Sequence, residues 1–213
     1  MRRGTILIVS AAVIGAAAWL SAQAPAPSGD VELSGPSDVP VTFDGHVSKF
    51  EYGDAATVRF GNGHGVVDAR VKAADGYLYF AFEIPDRSPH VGDDIVIMLD
   101  GRADGGDAPQ TDDIRAYVRR KGENSRMEQG DGKQWVNLYG DWEYRSTAYA
   151  IGWEVEARIP LKSLSADFAK TRTMGLALRI WDNDPQKTWH WPAESDEGKP
   201  STWGKLVLSG AKK

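Results

Sequence analysis

The amino-acid sequence predicts an all-β protein, an antiparallel β-sandwich with at most one short helix. Three observations carry that expectation. From Val39 onward apolar residues mostly alternate with polar ones, the period of a strand with one buried face. Gly (23) and Pro (11) are frequent among the 213 residues without reaching low-complexity levels, which suits a turn-rich chain. Roughly nine short runs recur at intervals of about 8–15 residues, the spacing of a sandwich rather than of βαβ units.

The runs follow in order. TVRF (57–60) is followed by VVDARVKA (66–73), then the turn signal Asp75-Gly76, then YLYFAFEI (77–84) with Leu78, Phe80 and Phe82 on one face. The turn and the alternation predict a hairpin. DIVIMLD (94–100) is a continuous apolar run, suited to a central strand buried on both faces. DDIRAYVRR (112–120) alternates again. EYRSTAYA (143–150) and WEVEARIP (153–160) form a second hairpin pattern turning at Gly152. MGLALRIWD (174–182) and GKLVLS (204–209) complete the strands, and LKSLSADFAK (161–170) is the helix candidate. No repeat or internal boundary divides 39–209, which reads as one domain with a short tail at 210–213.

Before that domain, Arg2 and Arg3 precede the apolar run ILIVSAAVIGAAAWL (6–20) and then SAQAPAPSG. A charged, an apolar and a small-residue region in that order predict a secretory signal peptide and the start of a tether over 1–26, with a flexible Pro/Ser/Gly linker over 27–38. The expected location is periplasmic or extracellular, with no membrane span in the mature chain. The net charge is −5 without a basic stripe, a poor match to nucleic acid or anionic lipid. The absence of cysteine excludes a disulfide framework, a catalytic thiolate and Cys-ligated metal.

The residues able to carry chemistry are unevenly spread. Of the eight tryptophans one is Trp19, and the others lie beyond residue 134. Trp181, Trp189, Trp191 and Trp203 fall in 181–204, a segment rich in Asp, Asn, Pro and Gly that reads as a long loop. Trp189 and Trp191 would share one side of an extended stretch around His190. Two readings stay open: indoles on which sugar rings stack, or a plug for one end of the sandwich. Arg115 and Arg179 sit within strands, where an inward guanidinium needs a carboxylate or a ligand and an outward one faces solvent. Asp100, Asp104 and Asp107, with Asp112 and Asp113, lie in a Gly-rich loop whose hard oxygens suit calcium, or form a solvated turn. Glu154 and Glu156 share a strand face, at most a weak hint of a glycosidase pair and otherwise a solvated surface. No nucleophile elbow, phosphate-binding loop or His-Glu-x-x-His motif occurs, so a free-standing enzyme is not expected.

VTFDGHVSKFEYGDAATVRF, DGYLYFAFEIPD, GDDIVIMLD, WEVEARIPLKSL and the closing PSTWGKLVLS resemble, in order and spacing, carbohydrate-binding module family nine, within the wider DOMON-like group. The resemblance covers 39–209. It implies a sandwich of the jelly-roll or DOMON-like kind that often holds calcium and binds sugar between two tryptophans, in company with polysaccharide breakdown. Carried over, the first clamp position falls on His90, a strand carboxylate on Val96, a strand arginine on Arg115, a polar strand residue on Arg179 and the second clamp on Glu197. Trp189 and Trp191 stand near that second position. The implied function is a secreted, non-catalytic carbohydrate-binding protein. Two alternatives accompany it: a haem-b module ligated from among Met98, Met127, His90 and His190, and an envelope module binding a protein partner.

Overall fold

The computed structural model describes residues 29–33, 35–88, 90–121, 124–164 and 170–209. The predicted leader, the start of the tether and the tail at 210–213 lie outside them. Two sheets form the body. The first runs in the order β1 (Asp30–Leu33), β13 (Gly204–Leu208), β11 (Thr173–Asp182), β5 (Asp94–Asp100), β6 (Asp113–Arg119), β7 (Arg126–Gly130), β8 (Trp135–Leu138), and β12 (Lys187–Trp191) also pairs with β11. The second runs β2 (Ala56–Gly61), β3 (Val66–Ala74), β4 (Tyr77–Pro85), β10 (Gly152–Pro160), β9 (Glu143–Tyr149). Neighbours are antiparallel except β1 with β13.

The alternation read from the sequence sets the packing. Ile95, Ile97 and Leu99 of β5, Ala116 and Val118 of β6 and Leu176, Leu178 and Ile180 of β11 turn inward. They meet Leu78, Phe80, Phe82 and Ile84 of β4 and Trp153 and Val155 of β10. The Asp75-Gly76 turn is as expected: Ala74 faces Tyr77 across a two-residue loop, with φ of 49° and 80°, the primed geometry that follows strand twist. The second hairpin turns at Ala150-Ile151, one residue earlier than read, because Gly152 already pairs with Tyr149.

Three expectations are corrected. The tether reading of 27–38 fails over β1, where Val31 and Leu33 are buried and the strand pairs with β13. Four residues of alternation are hard to see among Pro, Ser and Gly. The loop reading of 181–204 fails over β12, which folds back on β11 through a turn at 183–186. The solvated-face reading of Glu154 and Glu156 fails as well. Glu156 is 0% exposed and accepts hydrogen bonds from Tyr52 Oη (2.6 Å) and the backbone N–H of Gly45 (2.7 Å) and Asp44 (2.9 Å). Glu154 takes Val47 N–H at 3.3 Å. These carboxylates pin segment 39–55 across the outer face of the second sheet, where Val47 and Tyr52 pack on Tyr79 and Ala81. The helix candidate lies largely outside the described residues; Leu161–Ser163 form a 3-10 turn.

Trp153 is 1% exposed at the centre of the core. Trp153→Ala is expected to lower unfolding stability by about 3–5 kcal/mol, since an unfilled cavity adds to the lost transfer energy. Urea unfolding of the two proteins measures it.

Candidate functional site

The outer face of the first sheet carries a buried apolar floor ringed by partly exposed charged side chains, Arg115 at 15% and Arg179 at 12% side-chain exposure. Alternation again decides what stands there. Residues between the inward ones on β5, β6 and β11 point out: Val96 and Met98 make an apolar floor with Tyr117 and Ala177, and Arg115 and Arg179 flank it.

The arginines are linked in an alternating chain of charges. Arg126 Nε meets Glu128 Oε1 at 2.8 Å, and Glu128 Oε2 meets Arg115 Nε at 2.6 Å. Arg115 Nη1 meets Glu197 Oε2 at 3.3 Å, and Glu197 Oε1 meets Arg179 Nη1 at 3.1 Å. Arg179 Nη2 pairs with Asp94, which meets Arg119 Nη1 at 3.3 Å. Tyr117 lies in the middle: its ring centroid is 4.0 Å from Arg126 Cζ, 5.1 Å from Arg115 Cζ and 5.6 Å from Arg179 Cζ. Its hydroxyl donates to Glu197 Oε2 at 3.3 Å. Arg115 also lies 4.6 Å over the Trp135 ring, which is parallel to Trp203 within 5° at 6.4 Å. Trp203 Nε1 donates to the Asp196 carbonyl at 2.8 Å and so ties down the loop that carries Glu197.

The electrostatics follow from burial and pairing. Burial raises Asp94 and outweighs Arg179 and Arg119. Burial also acts to raise Glu128, but the hydrogen bonds of Arg126 and Arg115 prevail and hold it below its usual range. Burial and Glu197 push Tyr117 up to about 12. His190 is pushed down by burial, against the pull of Glu197. Two buried donors of this face have no hydrogen-bond partner, Trp135 Nε1 and Arg179 Nε. Buried polar atoms are normally satisfied, so such orphans point to a missing ligand group or water.

The residues singled out from the sequence divide. Arg115 and Arg179 come together through Glu197. His90 is exposed in the loop before β5, its Nδ1 accepting from Gly92 N–H at 2.9 Å. Trp189 and Trp191 do share a side, but it is the inner one: they face Ile180 and Leu178 across β12–β11, and Trp191 belongs to the core. Trp189 lies against Gly63, where φ is +81° and an added Cβ would stand 2.9 Å from Trp189 Cζ2. Trp181 borders a narrow crevice with Asn62, Asp86 and Trp153. The structure thus favours the plug over the platform. Met98 and Met127 lie on opposite faces of the first sheet, which does not gather the suggested haem ligands. Tyr117, Glu128, Arg126, Arg119 and Asp94 escaped the sequence reading, although Arg115, Tyr117 and Arg119 at a spacing of two marked one polar face. A depression of about 630 Å³ adjoins this face at Arg126 and is lined also by Asn137, Tyr139 and Trp142 among others.

The acidic loop gathers a different set from the one expected. Asp100, Asp112 and Asp113 each place a carboxylate oxygen within 4.8 Å of the others. Asp104 and Asp107 stand outside this group, and Asp107 accepts from Ser201 Oγ at 3.3 Å. Asp113 is fully buried, its Oδ2 accepts Gln110 N–H at 2.6 Å and its Oδ1 has no partner. Burial drives Asp113 up to about 7, and Asp100, Asp112 and Asp104 push the same way. Three clustered carboxylates with an orphan oxygen, and one cation among them in Arg102 on Asp112 at 3.0 Å, fit a hard divalent cation, which would add positive charge.

Two packed sheets make this a β-sandwich, and the charge-lined outer face of the first sheet is its candidate binding surface. The family model described as "Carbohydrate family 9 binding domain-like" matches residues 54–211, and the chain belongs to that family. Two solved structures of a carbohydrate binding module family 9 from Caldicellulosiruptor kristjanssonii are similar in fold. The one in complex with cellotriose has TM-score 0.60 and 18% identity, covering 86% of this chain and 95% of that one. The one in complex with glucose has TM-score 0.58 and 19% identity, covering 86% and 97%. No curated protein matches the chain.

The depressed Glu128 carboxyl contributes stability that is fully present above its ordinary value of 4.5 and is lost as pH falls through its lower folded value. Thermal melts between pH 7 and 3 are expected to show a steeper acid limb in the wild type than in Glu128→Gln, which lacks this titration.

Proposed function

We propose that this chain is a non-catalytic carbohydrate-binding protein acting outside the cytoplasm, and that it reads sugar on the outer face of the first sheet. The supporting observation is the pair of buried, unpartnered donors, Arg179 Nε and Trp135 Nε1, on a face crowded with guanidinium groups and carboxylates. Sugar hydroxyls both donate and accept, so an alternating Arg–carboxylate surface matches them group by group. The Trp135 ring carries Arg115, so hydrogen bonding contributes more to recognition here than stacking. The family and the sugar-bound structural relatives support the ligand class. The predicted leader supports the location, and among the described residues no helix is long and apolar enough to cross a membrane.

A calorimetric titration with neutral and acidic oligosaccharides tests the reading. At least one is expected to bind saturably, and Arg115→Lys, which keeps the charge but loses the fork, is expected to weaken it about tenfold. Phe50→Ala, exposed in the segment over the second sheet, should leave it unchanged. Failure of every sugar to bind refutes the proposal.

The same reading assigns calcium to Asp100, Asp112 and Asp113, where it would fasten the β5–β6 loop. At a hundredfold excess over Kd, binding to the native state adds about 2.7 kcal/mol. For a domain of this size that is roughly 5–10 °C in Tm. Calcium is expected to raise Tm by that order over chelator in the wild type and to do nothing in Asp113→Asn. Identical melts of the wild type in calcium and chelator would remove the assignment.

A further inference from the structure

We propose that the saccharide is an acidic one, bearing a uronate carboxylate, and that Glu197 fills the seat of that carboxylate in the free protein. This rests on the sugar-binding reading above and names its ligand class.

Glu197 differs from the other two carboxylates of the charge chain. Asp94 and Glu128 are carried by strands β5 and β7, whereas Glu197 comes from the loop between β12 and β13. Glu128 is gripped at 2.6 and 2.8 Å, but Glu197 is met only at 3.1, 3.3 and 3.3 Å, by Arg179, Arg115 and Tyr117. Charge-assisted hydrogen bonds are strongest near about 2.7–2.9 Å, so Glu197 is held loosely by groups able to hold a carboxylate well. Its departure strands no cation, because Arg115 keeps Glu128 and Arg179 keeps Asp94.

The remaining geometry suits an incoming carboxylate. The chain holds four guanidinium groups against three carboxylates, and against two once Glu197 withdraws. Arg115 and Arg179, projected from neighbouring sides of β5, then converge on one point with Tyr117 Oη. Arg179 Nε and Trp135 Nε1 wait beside them without acceptors. Glu197 is 23% exposed at its side chain and lines an open depression of about 500 Å³ with His190 and Ser195. Glu194 and Asp196 also line it, and their charge disfavours a densely sulfated chain more than one with a single carboxylate on each sugar.

Calorimetry on the full chain decides the matter, using trigalacturonate, cellotriose of the same length, and acetate as a bare carboxylate. Trigalacturonate is expected to bind at least about tenfold more tightly than cellotriose, the worth of one charge-assisted hydrogen bond. Acetate should bind at least about a hundredfold more weakly than trigalacturonate, because it lacks the hydroxyls. Glu197→Gln, checked for an unchanged melt, removes the internal competitor and should tighten trigalacturonate several-fold while leaving cellotriose within about twofold. Equal affinity for the two trisaccharides would overturn the acidic class while leaving the sugar-binding reading intact. Weaker binding of both in Glu197→Gln would make Glu197 a direct ligand group and also overturn it. Acetate matching trigalacturonate would make this an anion site. Silence from both sugars in both proteins would bring down the sugar-binding reading itself.

Discussion

The register of β5 between β6 and β11 is the constraint on which the rest of the molecule depends. Ile95, Ile97 and Leu99 must face the core, so Val96 and Met98 must face out, opposite Tyr117 and Arg115 on one side and Arg179 and Ala177 on the other. A slip of one residue would drive those arginines into the apolar interior, and the large cost of an unpaired buried charge opposes it. One strand pairing therefore fixes the hydrophobic core and places the guanidinium groups of the proposed recognition face. It also explains the carboxylates: half-buried arginines on a sheet need acidic partners, and Asp94, Glu128 and Glu197 supply them.

The two sheets treat their outer faces differently for a reason visible in single residues. Glu156, buried and fully hydrogen-bonded, holds segment 39–55 over the second sheet, and Lys72, also buried, adds an ion pair to Asp54 at 2.9 Å. That face becomes a second small core. Over the first sheet the covering element is the β12–β13 loop, anchored through Trp203 and the Asp196 carbonyl and touching the sheet face by long contacts of Glu197. The same kind of group, a glutamate, seals one face and only loosely latches the other. The difference is in the partners: short hydrogen bonds from backbone N–H and a buried tyrosine hydroxyl against three longer contacts at a partly exposed site.

Much of this could be read from the residues alone. Alternation identified the sandwich, the central strand, the Asp75-Gly76 hairpin and the face of Leu78, Phe80 and Phe82. It also put Trp189 and Trp191 on one side, but periodicity cannot say which side is inward. That is settled by the partners Ile180 and Leu178 on β11, a long-range pairing that no local pattern reveals. The acidic loop shows the same limit. Asp100, Asp104 and Asp107 are near in sequence, yet the antiparallel pairing of β5 with β6 sets Asp100 opposite Asp113 and so selects the distant pair Asp112 and Asp113. Arg115 and Arg179 were recognisable because charge inside a strand is costly. Their partner Glu197 was recognisable only as the position where a clamp tryptophan was expected.

The acidic cluster starts at Asp100, two residues beyond Met98 and Arg115 of the proposed recognition face, and the loops also join them. Ser201 N–H donates to the Gly106 carbonyl at 3.0 Å and Ser201 Oγ to Asp107 at 3.3 Å, which splices the β5–β6 loop onto the β12–β13 loop. Gly175 on β11 leaves room for Asp100, since a Cβ there would stand 2.8 Å from that of Asp100. A cation on Asp100, Asp112 and Asp113 would therefore stiffen the loop that Ser201 leans on. The β12–β13 loop, which carries Ser201, is also held by Trp203 at the Asp196 carbonyl, one residue from Glu197. The seat of Glu197 is thus set by two anchors of different kinds, an aromatic hydrogen bond from within and a charged loop from without.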